Sequence, residues 1–256
     1  MKDKLINILT PSGAMETFIT HPDRSGPFPV VIIYMDIWGV REELYDLARR
    51  VATVGYYCMV PDFYYRNGRV RHDYRNERGQ TLSTAVLDAG RLAAVRASRD
   101  TLTDAMVEDD TGAILDFLAS GEPAHPGAMG CIGYCMGGRH VFRVAARFPE
   151  RFRATASLHG THLVTDQADS PHTGMAKMQG ELYCGFGETD GHAAPPIRKT
   201  LDETAKGCGV VYRPQLHLGA DHGYALPDRD VYHKQAANRD WELMFAMFRA
   251  QLAPPV

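Results

Sequence analysis

The sequence predicts an α/β fold in three layers, with a mostly parallel central sheet and helices on both faces. Short apolar runs recur along the 256 residues, and segments of helical periodicity separate them. That alternation places parallel strands beneath crossover helices, and the helices cover the sheet twice. The third observation is continuity: no internal repeat, low-complexity tract or long linker interrupts the rhythm, so one domain over 1–256 is expected.

In chain order, "METFIT" (15–20) reads as an antiparallel edge strand, and "VVIIYM" (30–35) as the first parallel one. "REELYDLARRVATVG" (41–55) sets Leu44, Leu47, Ala48, Val51 and Val54 on one helical face and stops at a glycine. The strand "YYCMVP" (56–61) follows, and then an Arg-rich stretch at 64–85 that has no clear core face. Such a stretch is either a solvated surface excursion or a partial lid over a site. Helical segments around 88–97 and 104–118 lead to the strand "MGCIG" (129–133) and to "MGGRHVFRVAARFP" (136–149), a helix facing inward with Val141, Val144, Ala145 and Phe148. The strands "TASLH" (155–159), "ELYCGF" (181–186) and "VVYRPQLH" (210–217) complete the sheet. A long helix over 230–252 closes the chain, with Trp241, Met244, Phe245 and Phe248 inward.

A formal net charge of -3 gives no general field for nucleic acid or an acidic membrane surface, so a small molecule is the expected partner. Nothing approaches the roughly 18–20 consecutive apolar residues of a bilayer span, and the amino end lacks a signal-peptide core, so a cytoplasmic location is expected. The cysteines, Cys58, Cys131, Cys135, Cys184 and Cys208, are odd in number and scattered, unlike a disulfide framework.

The chemistry-bearing stretch is "CIGYCMGGR". Within it, "GYCMG" has the form Gly-x-nucleophile-x-Gly between an apolar strand and an amphipathic helix, the context of a nucleophile elbow. Gly133 and Gly137 clear the strained turn, Cys135 projects from the carboxyl edge of the sheet, and the Met136 N–H points to where an oxyanion would form. A C-x3-C metal or redox pair is the competing reading; its spacing departs from zinc knuckles, and Cys131 falls inside the strand.

Such a nucleophile needs an acid and a histidine later in the chain. Asp190 lies in "GETDGHAAP" after one strand, and His222 in "GADHGYALP" after the next, both at the carboxyl edge. His192 competes as the base. A zinc site from His159, His162 and His172 matches no H-E-x-x-H helix, and "GFGETD" lacks the third glycine of a dinucleotide loop.

With these blocks in view, the chain from about Met15 to Leu252 resembles the dienelactone hydrolase family of the α/β-hydrolase fold. The blocks that carry the resemblance are "IIYMDIWGVREELYDLARRVATVGYYCMVPDFYYRNG", "GCIGYCMGGR", "GETDGHAAP" and "GADHGYALPDRDVYHKQAANRDWELMFAMFRAQL". The resemblance implies a triad of Cys135, Asp190 and His222, an oxyanion hole from the N–H groups of Ile37 and Met136, and activation of the resting thiol by Asp36. It implies no cofactor and no metal. Family members that cleave dienelactones place an arginine shortly after the histidine, where this chain has Leu226; Arg229, Arg66, Arg69, Arg71, Arg75 and Arg78 are the available substitutes.

The expected activity is opening of a lactone, or cleavage of a small carboxylic ester, through a thioester acyl-enzyme. A broad small-ester carboxylesterase with the same triad is the alternative, and a non-catalytic binding protein or thiol sensor is the reading of another class. Trp38, Tyr64, Tyr134, Tyr224 and Arg66 are the substrate-binding candidates, with core or rim packing the competing role for each aromatic.

Overall fold

A computed structural model describes residues 1–253. The sheet has eight strands, β1 (Lys2–Thr10), β2 (Gly13–His21), β3 (Val30–Tyr34), β4 (Tyr57–Pro61), β5 (Met129–Tyr134), β6 (Phe152–Leu158), β7 (Glu181–Gly187) and β8 (Val211–His217). Their order is β1-β2-β4-β3-β5-β6-β7-β8, antiparallel through β1, β2 and β4 and parallel from there on. Every residue of β3, β4, β5 and β7 is buried, as both faces of a parallel sheet are when helices cover them.

The helices are α1 (Glu42–Thr53), α2 (Ala89–Asp100), α3 (Asp104–Ala119), α4 (Met136–Arg147), α5 (Pro195–Lys206) and α6 (Lys234–Gln251). α1 buries Leu44, Leu47, Ala48 and Val51, whereas Val54, expected on the same face, follows the helix and is 45% exposed. α6 starts later than the sequence predicts because His233 caps it, Nδ1 accepting from the Ala236 N–H; Trp241, Met244 and Phe248 are buried and Phe245 is partly so. Asp88 and Thr103 cap α2 and α3, each side chain accepting a backbone N–H.

One expectation changes. "METFIT" belongs to β2, which is antiparallel but not an edge: β1 pairs along its whole length outside it. β1 escaped notice because its apolar residues sit among Lys2, Asp3, Lys4 and Asn7, the mixed composition of a half-exposed edge strand. The 64–85 stretch, expected as a surface excursion or a partial lid, is held to the domain by ion pairs and backbone bonds. Arg66 pairs with Asp110, Arg69 with Glu16 and Arg71 with Asp62, while Thr81 bridges to the backbone of Asp228 and Asp230.

Among the described residues, no helix is long and apolar enough to cross a membrane.

Candidate active site

β5 ends at Tyr134, and α4 begins at Met136, so Cys135 alone makes the turn, at φ 55° and ψ -112°. A side-chain-bearing residue holds that conformation only when its surroundings enforce it. They do so by close backbone approach. A β-carbon on Gly133 would overlap the Gly137 carbonyl, and one on Gly137 would overlap the Tyr34 carbonyl.

The loops after β7 and β8 bring two further side chains to this turn. His222 Nε2 lies 3.1 Å from Cys135 Sγ, and its Nδ1 lies 2.9 Å from Asp190 Oδ2. The other Asp190 oxygen accepts the His192 N–H at 2.8 Å, so both carboxylate oxygens are fixed in a buried site. Burial opposes a charge on His222, but the facing sulfur and Asp190 outweigh it and push its pKa up to about 10. The arrangement therefore favours a proton on the imidazole between the sulfur and the carboxylate.

Asp36, two residues beyond β3, makes no hydrogen bond to the sulfur. Its carboxylate is fully buried and takes the Trp38 N–H at 3.1 Å, the Arg41 guanidinium at 2.8 and 3.1 Å, and Arg229 at 3.7 Å. Arg41 is shared with Asp228 at 2.6 and 3.1 Å. The expected contact with Cys135 is replaced by this ion network, because a carboxylate buried between two guanidiniums satisfies its oxygens there.

A cavity of about 300 Å³ is lined by Cys135 and His222 together with Ile37 and Met136. The N–H groups of those two residues bond no acceptor among the described residues. A larger groove of about 580 Å³ runs along β8 and α6, but it holds no cysteine or histidine. Nor is any group of three or more His, Cys, Asp or Glu among the described residues arranged to hold a metal ion. Cys131, the other half of the C-x3-C reading, is buried in β5 against Thr155, and burial pushes its thiol up to about 12.

Residues 15–252 match the model of the dienelactone hydrolase family. The chain belongs to that family. It is accordingly a hydrolase acting on ester bonds. A "Putative carboxymethylenebutenolidase" of Synechocystis sp. is 27% identical over 98% of both chains. Two crystal structures share the fold. A "Putative Dienelactone Hydrolase" of Klebsiella pneumoniae superposes with TM-score 0.83 at 22% identity, covering 96% of this chain and 98% of the other. A dienelactone hydrolase-like promiscuous phosphotriesterase, P91, from metagenomic libraries gives 0.77 at 18% identity, covering 98% and 99%.

In this dienelactone hydrolase family member the other candidates are dispersed. Trp38 lines the cavity, with Arg229 stacked 5.0 Å over its ring. Tyr64 lies behind it, donating its hydroxyl to the Ile37 carbonyl at 3.2 Å, and so braces the backbone rather than the cavity. Tyr134 and Tyr224 are fully buried outside the lining. Arg66 is spent on Asp110, and Arg69, Arg71, Arg75 and Arg78 also stay off the lining, as does the buried Leu226. Of the 64–85 stretch only Thr84 reaches the cavity.

The cations that do reach it are Arg229 and, from α2, Arg96 and Arg99. The α2 arginines were legible as a helical face, since Leu92, Val95, Arg96 and Arg99 repeat at three and four residues. His192 and His162 line the cavity too, with the His192 ring 5.1 Å from that of His222. His192 makes no contact with the sulfur; the position facing both thiol and carboxylate belongs to His222.

Proposed function

We propose that this hydrolase uses Cys135 as nucleophile, His222 as base and acid, and Asp190 as orienting carboxylate, to open a lactone or cleave a small carboxylic ester through a thioester. The observation that carries the reading is one imidazole hydrogen-bonded to both a thiol and a buried carboxylate. Sulfur attacks the ester carbonyl while its proton resides on His222 Nε2. The tetrahedral oxyanion lies between the Ile37 and Met136 N–H groups; one such donor is worth about 3–4 kcal/mol of barrier. Collapse breaks the carbon–oxygen bond, and His222 returns the proton to the leaving oxygen. Water, deprotonated by His222, then hydrolyses the thioester and restores the thiol. Asp190 holds the Nδ1–H tautomer and supports the imidazolium throughout.

The substrate is small and anionic. Arg96 lines the cavity and has no carboxylate partner among the described residues, so the cavity presents a positive charge that no protein carboxylate pairs with. A lactone bearing a carboxylate, the chemistry named by the relatives' carboxymethylenebutenolidase designation, fits both features. Asp36 acts on the site by fixing Trp38 and Arg229 rather than by touching the thiol.

The test is hydrolysis of cis- and trans-dienelactone and of p-nitrophenyl acetate by wild type and by Cys135→Ala. Cysteine-dependent turnover that favours the dienelactones supports the reading. Turnover of the aryl ester alone keeps the triad and replaces the substrate with a general small ester, and equal rates for both proteins overturn the mechanism.

A further inference from the structure

We infer that His159, which no step above uses, is a positioning residue: its imidazole Nδ1 holds the backbone N–H of Cys135 and fixes the sulfur against His222. The inference rests on the reading of Cys135 and His222 as nucleophile and base.

His159 directly follows β6 and sits at φ 39°, in the left-handed region that residues with a β-carbon adopt at a cost. Its own N–H donates to the Gly185 carbonyl at 2.9 Å, which anchors the turn. From there its Nδ1 accepts the Cys135 N–H at 3.1 Å, a proton shared with the Leu158 carbonyl at 3.1 Å. Two residues in costly backbone conformations are thus bonded to each other. An elbow held this way cannot relax without breaking the bond.

The ring is fully buried, and Nε2 has no partner, so the bond to Cys135 is the only one its side chain makes among the described residues. Packing alone would be served better by phenylalanine, given Tyr134 and Tyr224 with ring centroids 5.9 and 5.4 Å away. A polar ring kept at the cost of one unsatisfied nitrogen points to a need for the acceptor. Burial, followed by the charges of His222 and Arg229, holds the His159 pKa well below the ordinary value, which keeps the Nδ1 lone pair free. The neutral ring also meets that of His222 edge-on, 5.2 Å between centroids at 75°, and so presents no competing charge to the imidazolium.

The experiment compares His159→Phe, which keeps a ring but no acceptor, with His159→Asn, whose Oδ1 takes the place of Nδ1. Ester hydrolysis and the pH profile of Cys135 alkylation by iodoacetamide are measured on each, with Cys135→Ala alongside. His159→Phe is expected to lose about a hundredfold in kcat, with KM within about threefold, as a misplaced reacting atom does. It should also show a displaced alkylation profile, and His159→Asn should recover most of both. Wild-type kinetics in His159→Phe, or equal impairment in His159→Asn, overturns the inference. Should His159→Phe not fold, His159→Ala takes its place in the same comparison. Activity surviving in Cys135→Ala would instead sink the proposed mechanism, whatever the His159 variants do.

Discussion

His222 Nε2 faces Cys135 Sγ at 3.1 Å, and apart from burial, which opposes it, the sulfur is the largest influence on the charge of that imidazole. Cys135→Ala should therefore lower the His222 pKa from about 10 toward its ordinary 6.5, read from the ring proton shifts by NMR. The sign extends to stability. The folded chain keeps a proton that the unfolded chain loses above 6.5, so this contribution is complete below 6.5 and is lost as pH rises through about 10. Cys135→Ala should flatten that decline in urea unfolding between these limits. An unmoved His222 titration would mean that the two side chains do not interact in solution.

Asp190 gives one oxygen to His222 and the other to a backbone N–H, so Asp190→Asn keeps its size but presents the wrong hydrogen-bonding group to Nδ1. Loss of a correctly held tautomer costs on the order of 10⁴ in kcat in the serine triads. A comparable fall, with KM little altered, is expected here in steady-state kinetics. A loss below tenfold would assign the imidazole's orientation to its other neighbours.

The elbow was legible because its physics is local: strand, glycine, cysteine, glycine and helix are contiguous, and the overlaps at Gly133 and Gly137 explain both glycines. Asp190 and His222 were legible because each follows an apolar run whose carboxyl end had to face the elbow. Asp36 was not, because its partners are set by the chain's return at Arg41, Asp228 and Arg229, a contact over sequence distances that no spacing encodes. The same holds for Arg66, which looked free in an Arg-rich stretch but finds Asp110 on α3. β1 was missed for the opposite reason: an edge strand needs little apolar patterning to pair.

The buried Asp36 carboxylate compensates Arg41 and, more distantly, Arg229. Asp36→Ala would leave both guanidiniums facing each other in the interior, and breaking a buried pair from one side typically costs about 3–5 kcal/mol. The expected result is a marked loss of stability in chemical denaturation together with loss of activity. Asp36→Ala with unchanged stability would show that Asp228 alone suffices for Arg41, and activity lost without destabilisation would return Asp36 to a direct role at the thiol.

Arg96 gives a cleaner test of substrate charge than Arg229, which is buried and tied to Asp36 and to the Leu82 carbonyl. Arg96 is exposed, lies on α2, and lines the cavity without a protein carboxylate. Arg96→Gln should leave folding unaffected, since α2 buries only Val95. Its effect should fall on one class of substrate: KM for a carboxylate-bearing ester rises about two- to fivefold, as loss of one exposed ion pair predicts, while a neutral aryl ester is unaffected. Raising the salt concentration should shrink the difference, because the exposed guanidinium is screened. Equal changes for both substrates would move the anion site to Arg229 and Arg99, and no change for either would leave the positive face of α2 without a part in recognition.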